Sequence, residues 1–286
     1  MIQWPMRLAA LAVLASLAVA AAGCDGNGDE ATPPPTVPET VTETIPPAGG
    51  TTSVAVYLLR DGKVAPVRRE IEATPAVARA ALTELLEGPT PDEAGDGLVS
   101  AIPEGTALRD ISIANGIATV DLDGRFDDGG GSASMLGRVA QVVATLTRFP
   151  TVGRVAFRLD GEPVESIGGE GVVVDPPIGR RAIEDQTPQI LVESPLPGDD
   201  VSAPIRLVGT ANVFEATVSL EVRDSAGKAI LETFTTATTG TGTRGTFETS
   251  LPLPGRTGDV TVVAFESSAK DGRPLHVFEV PLTLAP

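Results

Sequence analysis

Beyond a uniformly apolar N-terminal run, only two stretches of this chain place apolar residues at helical spacing. Both lie between Thr74 and Pro150. In the first, Ala78, Leu82, Leu85 and Leu86 fall on one face. In the second, Met135, Val139, Val142 and Leu146 do so, with Leu136 and Val143 beside them. The remaining apolar residues come in short runs broken by turn dipeptides, the pattern of strands. The chain therefore divides into a first part that mixes strands with two helices and a second part built from strands alone.

In the first part, Val54 to Leu59 reads as a strand and Lys63 to Ile71 as its hairpin partner across Asp61-Gly62. Pro66 has no N–H to give a ladder, so that partner belongs at an edge. Thr74-Pro75 predicts an N-cap followed by proline at the first helical position, and Gly88-Pro89 predicts the helix end. Leu108 to Ala114 and Ile117 to Leu122 flank Asn115-Gly116, a second hairpin signal. The other helix follows the glycines at 129–131, with Ser132 or Ser134 as its cap and Pro150 as its stop. Val155, Phe157 and Leu159 then alternate, and Asp160-Gly161 turns into Val164 to Ile167. The order ββα, ββα, ββ predicts an α+β domain over 51–178, a mixed sheet with two helices on one face.

Four runs of this region resemble the GerMN domain, the sporulation and germination domain: Leu85-Leu86-Glu87-Gly88-Pro89-Thr90, Ser100-Ala101-Ile102-Pro103-Glu104-Gly105-Thr106, Gly116 to Leu122, and Gln141 to Thr147. The resemblance covers nearly the whole segment in order. It implies a non-enzymatic module of cell-envelope lipoproteins. That family also occurs outside sporulating bacteria, in LpqB-type lipoproteins that work with sensor kinases.

Residues 179–188 mix charged and polar side chains and end in Pro188, as a linker would. Beyond them come seven strand-like runs: Ile190 to Glu193, Ile205 to Thr210, Thr217 to Arg223, Ala229 to Thr235, Thr246 to Leu251, Val260 to Glu266 and Leu275 to Leu284. Seven short strands over 189–286 predict an immunoglobulin-like β-sandwich without its usual Cys and Trp landmarks. Ser194-Pro195-Leu196-Pro197-Gly198, Gly209 to Ala216, Gly245-Thr246-Phe247-Glu248 and Phe265 to Gly272 resemble the immunoglobulin-like domain of bacterial spore germination proteins. This second resemblance implies an interaction module of the envelope rather than a reaction.

The N-terminus predicts an address. Residues 8–22 are uniformly apolar, and fifteen residues fall short of the roughly twenty that span a bilayer. The run suits the core of a secretory signal. Ala21-Ala22-Gly23-Cys24 resembles the bacterial lipoprotein box, with Ala21 where the box usually has Leu. That resemblance implies removal of residues 1–23 and acyl chains, palmitate among them, on Cys24; the alternative is a plain secretory signal. Cys24 is the only cysteine, so no internal disulfide can form. Residues 24–50 are rich in Pro and Thr with too few apolar residues to fold, and they predict a disordered tether. Extended at about 3.1 Å per residue, it reaches at most roughly 80 Å. The expected location is the extracytoplasmic face of the cell membrane.

Charge narrows the partners. Removing residues 1–23 takes away one base, Arg7, and leaves 20 basic against 38 acidic residues, formally −18. Nucleic acid is excluded as a partner, since phosphate binding needs clustered Lys and Arg. An anionic bilayer would repel this chain, so attachment must be covalent.

No catalytic constellation emerges, and no cofactor or metal is expected. His276, the single histidine, sits beside Val277 and Phe278 in a predicted strand. There is no G-x-S-x-G, and the glycines at 129–131 adjoin Asp127 and Asp128 with no lysine. Asp121, Asp123, Asp127 and Asp128 form the one dense acidic cluster. Calcium takes carboxylate oxygens, yet the spacing departs from the EF-hand loop. A cell-wall hydrolase using Asp121 and Asp123 lacks an aromatic sugar platform. The expectation is a non-catalytic, lipid-anchored envelope module that meets a protein partner or peptidoglycan. An accessory lipoprotein acting on a membrane sensor kinase is the alternative.

Overall fold

The computed structural model describes residues 50–168 and 171–285. These fall within one compact unit, Ile45–Pro286. The signal, Cys24 and the tether up to residue 49 lie outside the described residues.

The first domain opens with β1 (Thr51–Arg60) and β2 (Lys63–Glu72). They are joined by Asp61 and Gly62 at φ 51° and 73°. Both signs are positive, the geometry that matches the twist of a tight hairpin. Then come α1 (Val77–Leu86), the short α2 (Pro91–Gly95), β3 (Leu108–Ala114) and β4 (Ile117–Leu122). They are followed by α3 (Ser132–Leu146), β5 (Arg154–Leu159), β6 (Glu162–Pro163), β7 (Ser166–Ile167) and β8 (Val172–Val173). The mixed sheet has the order β3-β4-β5-β6, with β4 and β5 parallel. The β1–β2 hairpin stands apart as a two-stranded sheet of its own.

That separation explains α3. Eleven of its fifteen residues are buried, far more than one apolar stripe would bury, because the helix lies between the hairpin and the four-stranded sheet. Met135, Val139, Val142 and Leu146 are buried as the spacing predicts, and so are Arg138, Gln141 and Thr145.

Several local expectations change. Thr74 does not cap α1: its hydroxyl accepts from Ala76 N at 3.1 Å, which makes a turn before the helix, and Ala76 takes the cap position without a side-chain bond. Neither Ser132 nor Ser134 caps α3, since extended Gly131 does so, and Arg138 donates to the Ser134 hydroxyl at 3.3 Å. The strand expected over Val164–Ile167 is interrupted. Pro163 can donate nothing to a ladder, so β6 ends there, and Ser166–Ile167 pairs with Val172–Val173 instead. Helix α2 was not anticipated, although Thr90 and Glu93 form a complete capping box.

The second domain contains all seven expected strands: β9 (Ile190–Ser194), then, after a two-residue β10 (Asp200–Val201), β11 (Ile205–Ala211), β12 (Thr217–Asp224), β13 (Ala229–Thr236), β14 (Gly245–Leu251), β15 (Gly258–Ser267) and β16 (Pro274–Leu284). A five-stranded sheet, β10-β16-β15-β12-β13, packs on a three-stranded one, β14-β11-β9. Val218, Leu220 and Val222 of β12 point into the shared core, as their alternation predicts. The two domains touch through apolar residues: Ile183, Leu191 and Leu196 join the first core, and Phe278 packs against both.

Candidate functional site

Two buried polar assemblies set the geometry of the surface between the domains. The first lies on α3. The inner edge of β1 has almost no strand partner, so the main chain of Tyr57 needs other bonds. Tyr57 N donates to Thr145 Oγ1 at 3.0 Å, and Gln141 Nε2 donates to Tyr57 O at 3.2 Å. Gln141 Oε1 also accepts from Ala101 N at 2.8 Å. One turn earlier, Arg138 donates to the carbonyls of Ala101, Phe126 and Gly129 at 3.0, 2.7 and 2.8 Å. Residues 138, 141 and 145 share one helical face, and that polar seam does the work of a missing strand. It also occupies the glycine loop, where Arg138 takes the Gly129 carbonyl.

The second assembly is the segment expected to be a linker. Residues Arg180–Gln186 wind into 3-10 turns, with a kink at Ile183. Arg180 lies over the ring of Tyr57, its guanidinium carbon 5.2 Å from the centroid. It donates to Thr147 Oγ1 at 2.8 Å, to Ala144 O at 3.1 Å and to Glu193 Oε1 at 2.5 Å. Arg148 donates to the Glu193 carbonyl at 3.3 Å. Burial pushes the Tyr57 phenol up, with Glu193 adding to the rise and Arg180 opposing it. At the other end of the turns, Arg244 grips Glu184 through two bonds of 2.9 and 3.1 Å, and Asn212 Nδ2 adds a third at 2.9 Å. Partial burial acts to raise the Glu184 carboxyl, yet the bonds from Arg244 and Asn212 outweigh it and hold the group below the usual range. Lys63 Nζ donates to the Asp185 carbonyl. The segment thus fastens β2 and α3 of one domain to β9 of the next.

Between these fastenings lies a groove of about 420 Å³, walled by β2 on one side and β16 on the other. Val64, Pro66 and Val67 face Val277, Phe278 and Pro281 across it, and Arg60, Lys63, Arg68, Asp96 and Glu279 stand at its rim. Glu93 also borders it. Partial burial would raise the Glu93 carboxyl, but Arg69 and the Thr90 amide lower it overall and keep it ionised. Such a groove has apolar walls and a rim of both signs, which suits a polypeptide segment better than a phosphate or a sugar.

The residues singled out from sequence do not meet in it. Cys24 lies outside the described residues. Asp121, Asp123 and Asp127 each tie down the main chain of a neighbouring segment. Asp121 Oδ1 accepts from Gly161 N at 3.0 Å and stands 3.9 Å from Arg109. Asp123 Oδ1 accepts from Ala107 N at 3.1 Å, and Asp127 accepts from Gly168 N. Among the described residues no group of three or more His, Cys, Asp and Glu side chains is placed to hold a metal ion. His276 is half exposed, with Nε2 3.7 Å from Glu266. The groove and both fastenings escaped the sequence reading. Polar Gln141 and Thr145 inside an apolar helical run were the one available signal.

Two stretches of the chain match known families. Residues 55–165 match the family described as sporulation and spore germination, Germane. Residues 189–273 match the immunoglobulin-like domain of bacterial spore germination, Gmad2. The chain is thus built from one domain of each family, in that order. Among characterised proteins it resembles Lipoprotein LpqB of Thermobifida fusca (strain YX), with 32% identity over 117 residues, 41% of this chain. The match spans only 18% of that relative's length. Among solved structures, the first GerMN domain of the sporulation protein GerM from Bacillus subtilis shares 22% identity over 46% of this chain and 98% of that one, with a TM-score of 0.40. A putative lipoprotein from Clostridium perfringens shares 19% identity over 48% of this chain and 92% of that one, with a TM-score of 0.36.

Proposed function

We propose that this chain is an envelope protein, held to the extracytoplasmic face of the membrane by lipid on Cys24, that binds a partner protein and performs no reaction on it. The observation that carries the reading is the groove between β2 and β16, formed where two sporulation and germination modules are fastened together. Its walls come from both domains, so neither alone would offer the same surface. The lipoprotein relative supports the membrane address.

A photo-reactive residue at Val277, which is 49% exposed at the groove, should trap one recurrent protein in intact cells. The same residue at exposed Ser112 of β3 should not. Recovery of no adduct at Val277, or of the same adducts from both positions, would sink the groove as the binding surface. Separately, Cys24→Ala should abolish labelling by a lipid precursor and release the chain from membranes. Labelling that survives the substitution overturns the anchor.

A further inference from the structure

Unpaired strand edges offer main-chain groups to other strands, and proteins protect them with prolines, charges, bulges or covers. Among the described residues the outer edges of β2, β3 and β14 carry such protection, whereas β13 has only a bulge at Ile230, near its start, and runs in regular register from Leu231 to Thr236. Edge β2 holds Lys63, Pro66, Arg68 and Arg69. Edge β3 has a bulge between Leu108 and Asp110, together with Arg109. On β14, the main chain of Thr246 is engaged at both N and O by Thr238, at 3.0 and 2.9 Å. Strand β13, Ala229-Ile-Leu-Glu-Thr-Phe-Thr-Thr236, closes the five-stranded sheet with no proline, no base and one acid.

The register fixes which of its groups face outward. Ala237 N donates to Ala216 O at 2.8 Å beside the pair Thr217↔Thr236. That is the wide spacing of an antiparallel ladder, so Thr236, Phe234 and Glu232 turn their N–H and C=O away from β12. Among the described residues these groups have no hydrogen-bond partner. Phe234 is also the most exposed large apolar side chain of the described residues, at 67%. Across Ser219 it is in line with half-buried Phe265, which continues the apolar row over the sheet.

We infer that β13 is a self-association edge, pairing antiparallel with β13 of a second copy of this chain. A two-fold axis at Phe234 sets that ring against its own copy and puts Glu232 opposite the second copy's Thr236. The only charge of the strand then meets a hydroxyl rather than a like charge, and one additional copy satisfies the outward groups of Glu232, Phe234 and Thr236. A foreign strand would need a matching sequence; the second copy supplies one by symmetry. The contact buries less than the roughly 1,200 Å² of a stable complex. The dimer is therefore weak, and the acidic chains make it stronger as salt rises.

Sedimentation of the full chain over a wide concentration range tests this, read together with amide hydrogen exchange. The expected result is a mass that climbs from one chain toward two, with the amides of Glu232, Phe234 and Thr236 gaining protection in step while those of 64–70 do not. Phe234→Lys sets like charges at the axis and should weaken association by about tenfold or more without moving the thermal midpoint, the side chain being exposed. Glu232→Pro removes an outward N–H together with the carboxylate, leaves the ladder bonds to β12 in place, and should also weaken association. A chain monomeric throughout the range, a dimer indifferent to both substitutions, or β13 protection independent of concentration would each overturn the assignment.

Discussion

The two domains solve the same problem by different means. The sandwich is held by strand ladders around an apolar core, and each of its long strands finds another strand. The first domain keeps its opening hairpin apart from its main sheet and joins the two through a helix buried on nearly every side. There, main-chain groups that a sheet would satisfy are met by Arg138, Gln141 and Thr145. The difference teaches that buried polarity here is concentrated where the topology lacks a ladder. The first domain should be fragile to loss of polar groups and the second to loss of apolar volume.

The sharpest way to break this contrast is Arg138→Met. The side chain is 3% exposed and serves three carbonyls; its loss should cost about 3–5 kcal/mol, read as a fall in the urea midpoint. A cost no larger than that of a surface substitution would end the polar-seam account. The counterpart in the sandwich is Leu220→Ala, at 2% exposure, with an expected loss of about 3 kcal/mol. Next comes Arg180→Ala, which strands Glu193 and should cost about 2–3 kcal/mol. The loss is read as a fall in the urea midpoint, and a fall no larger than that of a surface substitution would mean that Arg180 does not fasten the domains.

A smaller effect concerns acid. The Glu184 carboxyl sits below its ordinary value in the folded chain. Its contribution is fully present above the ordinary carboxylate range and is lost as the pH falls through the lowered value. The difference in denaturation midpoint between the parent and Glu184→Gln should therefore be clear at neutral pH and shrink as the pH falls below the ordinary carboxylate range. A gap unchanged by acid would refute the clamp's ionic character. At the bottom of the scale is Arg206→Ala: it and its partner Glu248 are both exposed, and no change in the midpoint is expected.

What could be read from sequence follows the range of the forces involved. Hairpins at Asp61-Gly62 and Asn115-Gly116 depend on two residues each, and both formed as expected. The stripes of α1 and α3 and the alternation of β12 are similarly local. The capping box at Thr90–Glu93 is equally local, although the helix it starts buries no residue. Arg180 offered no signal at all. Its partners Tyr57, Thr147 and Glu193 are scattered through the chain, and only folding makes them neighbours. The groove is further still from the sequence, since it exists only once the Arg180 and Glu184 fastenings have fixed one domain against the other.

One consequence of the separate hairpin is mechanical. Gly50 and Thr51 stand at the open end of β1–β2, where Gly50 O accepts from Ala73 N at 2.8 Å and Thr51 pairs with Glu72. The first bond from β1 to α3 comes only at Tyr57. A pull arriving through the preceding residues loads these bonds one after another, as a zip is opened, rather than all at once. The first pairs of the ladder yield at low force while the buried seam behind them holds, giving the N-terminal side of the domain a compliant fuse ahead of a stiff body.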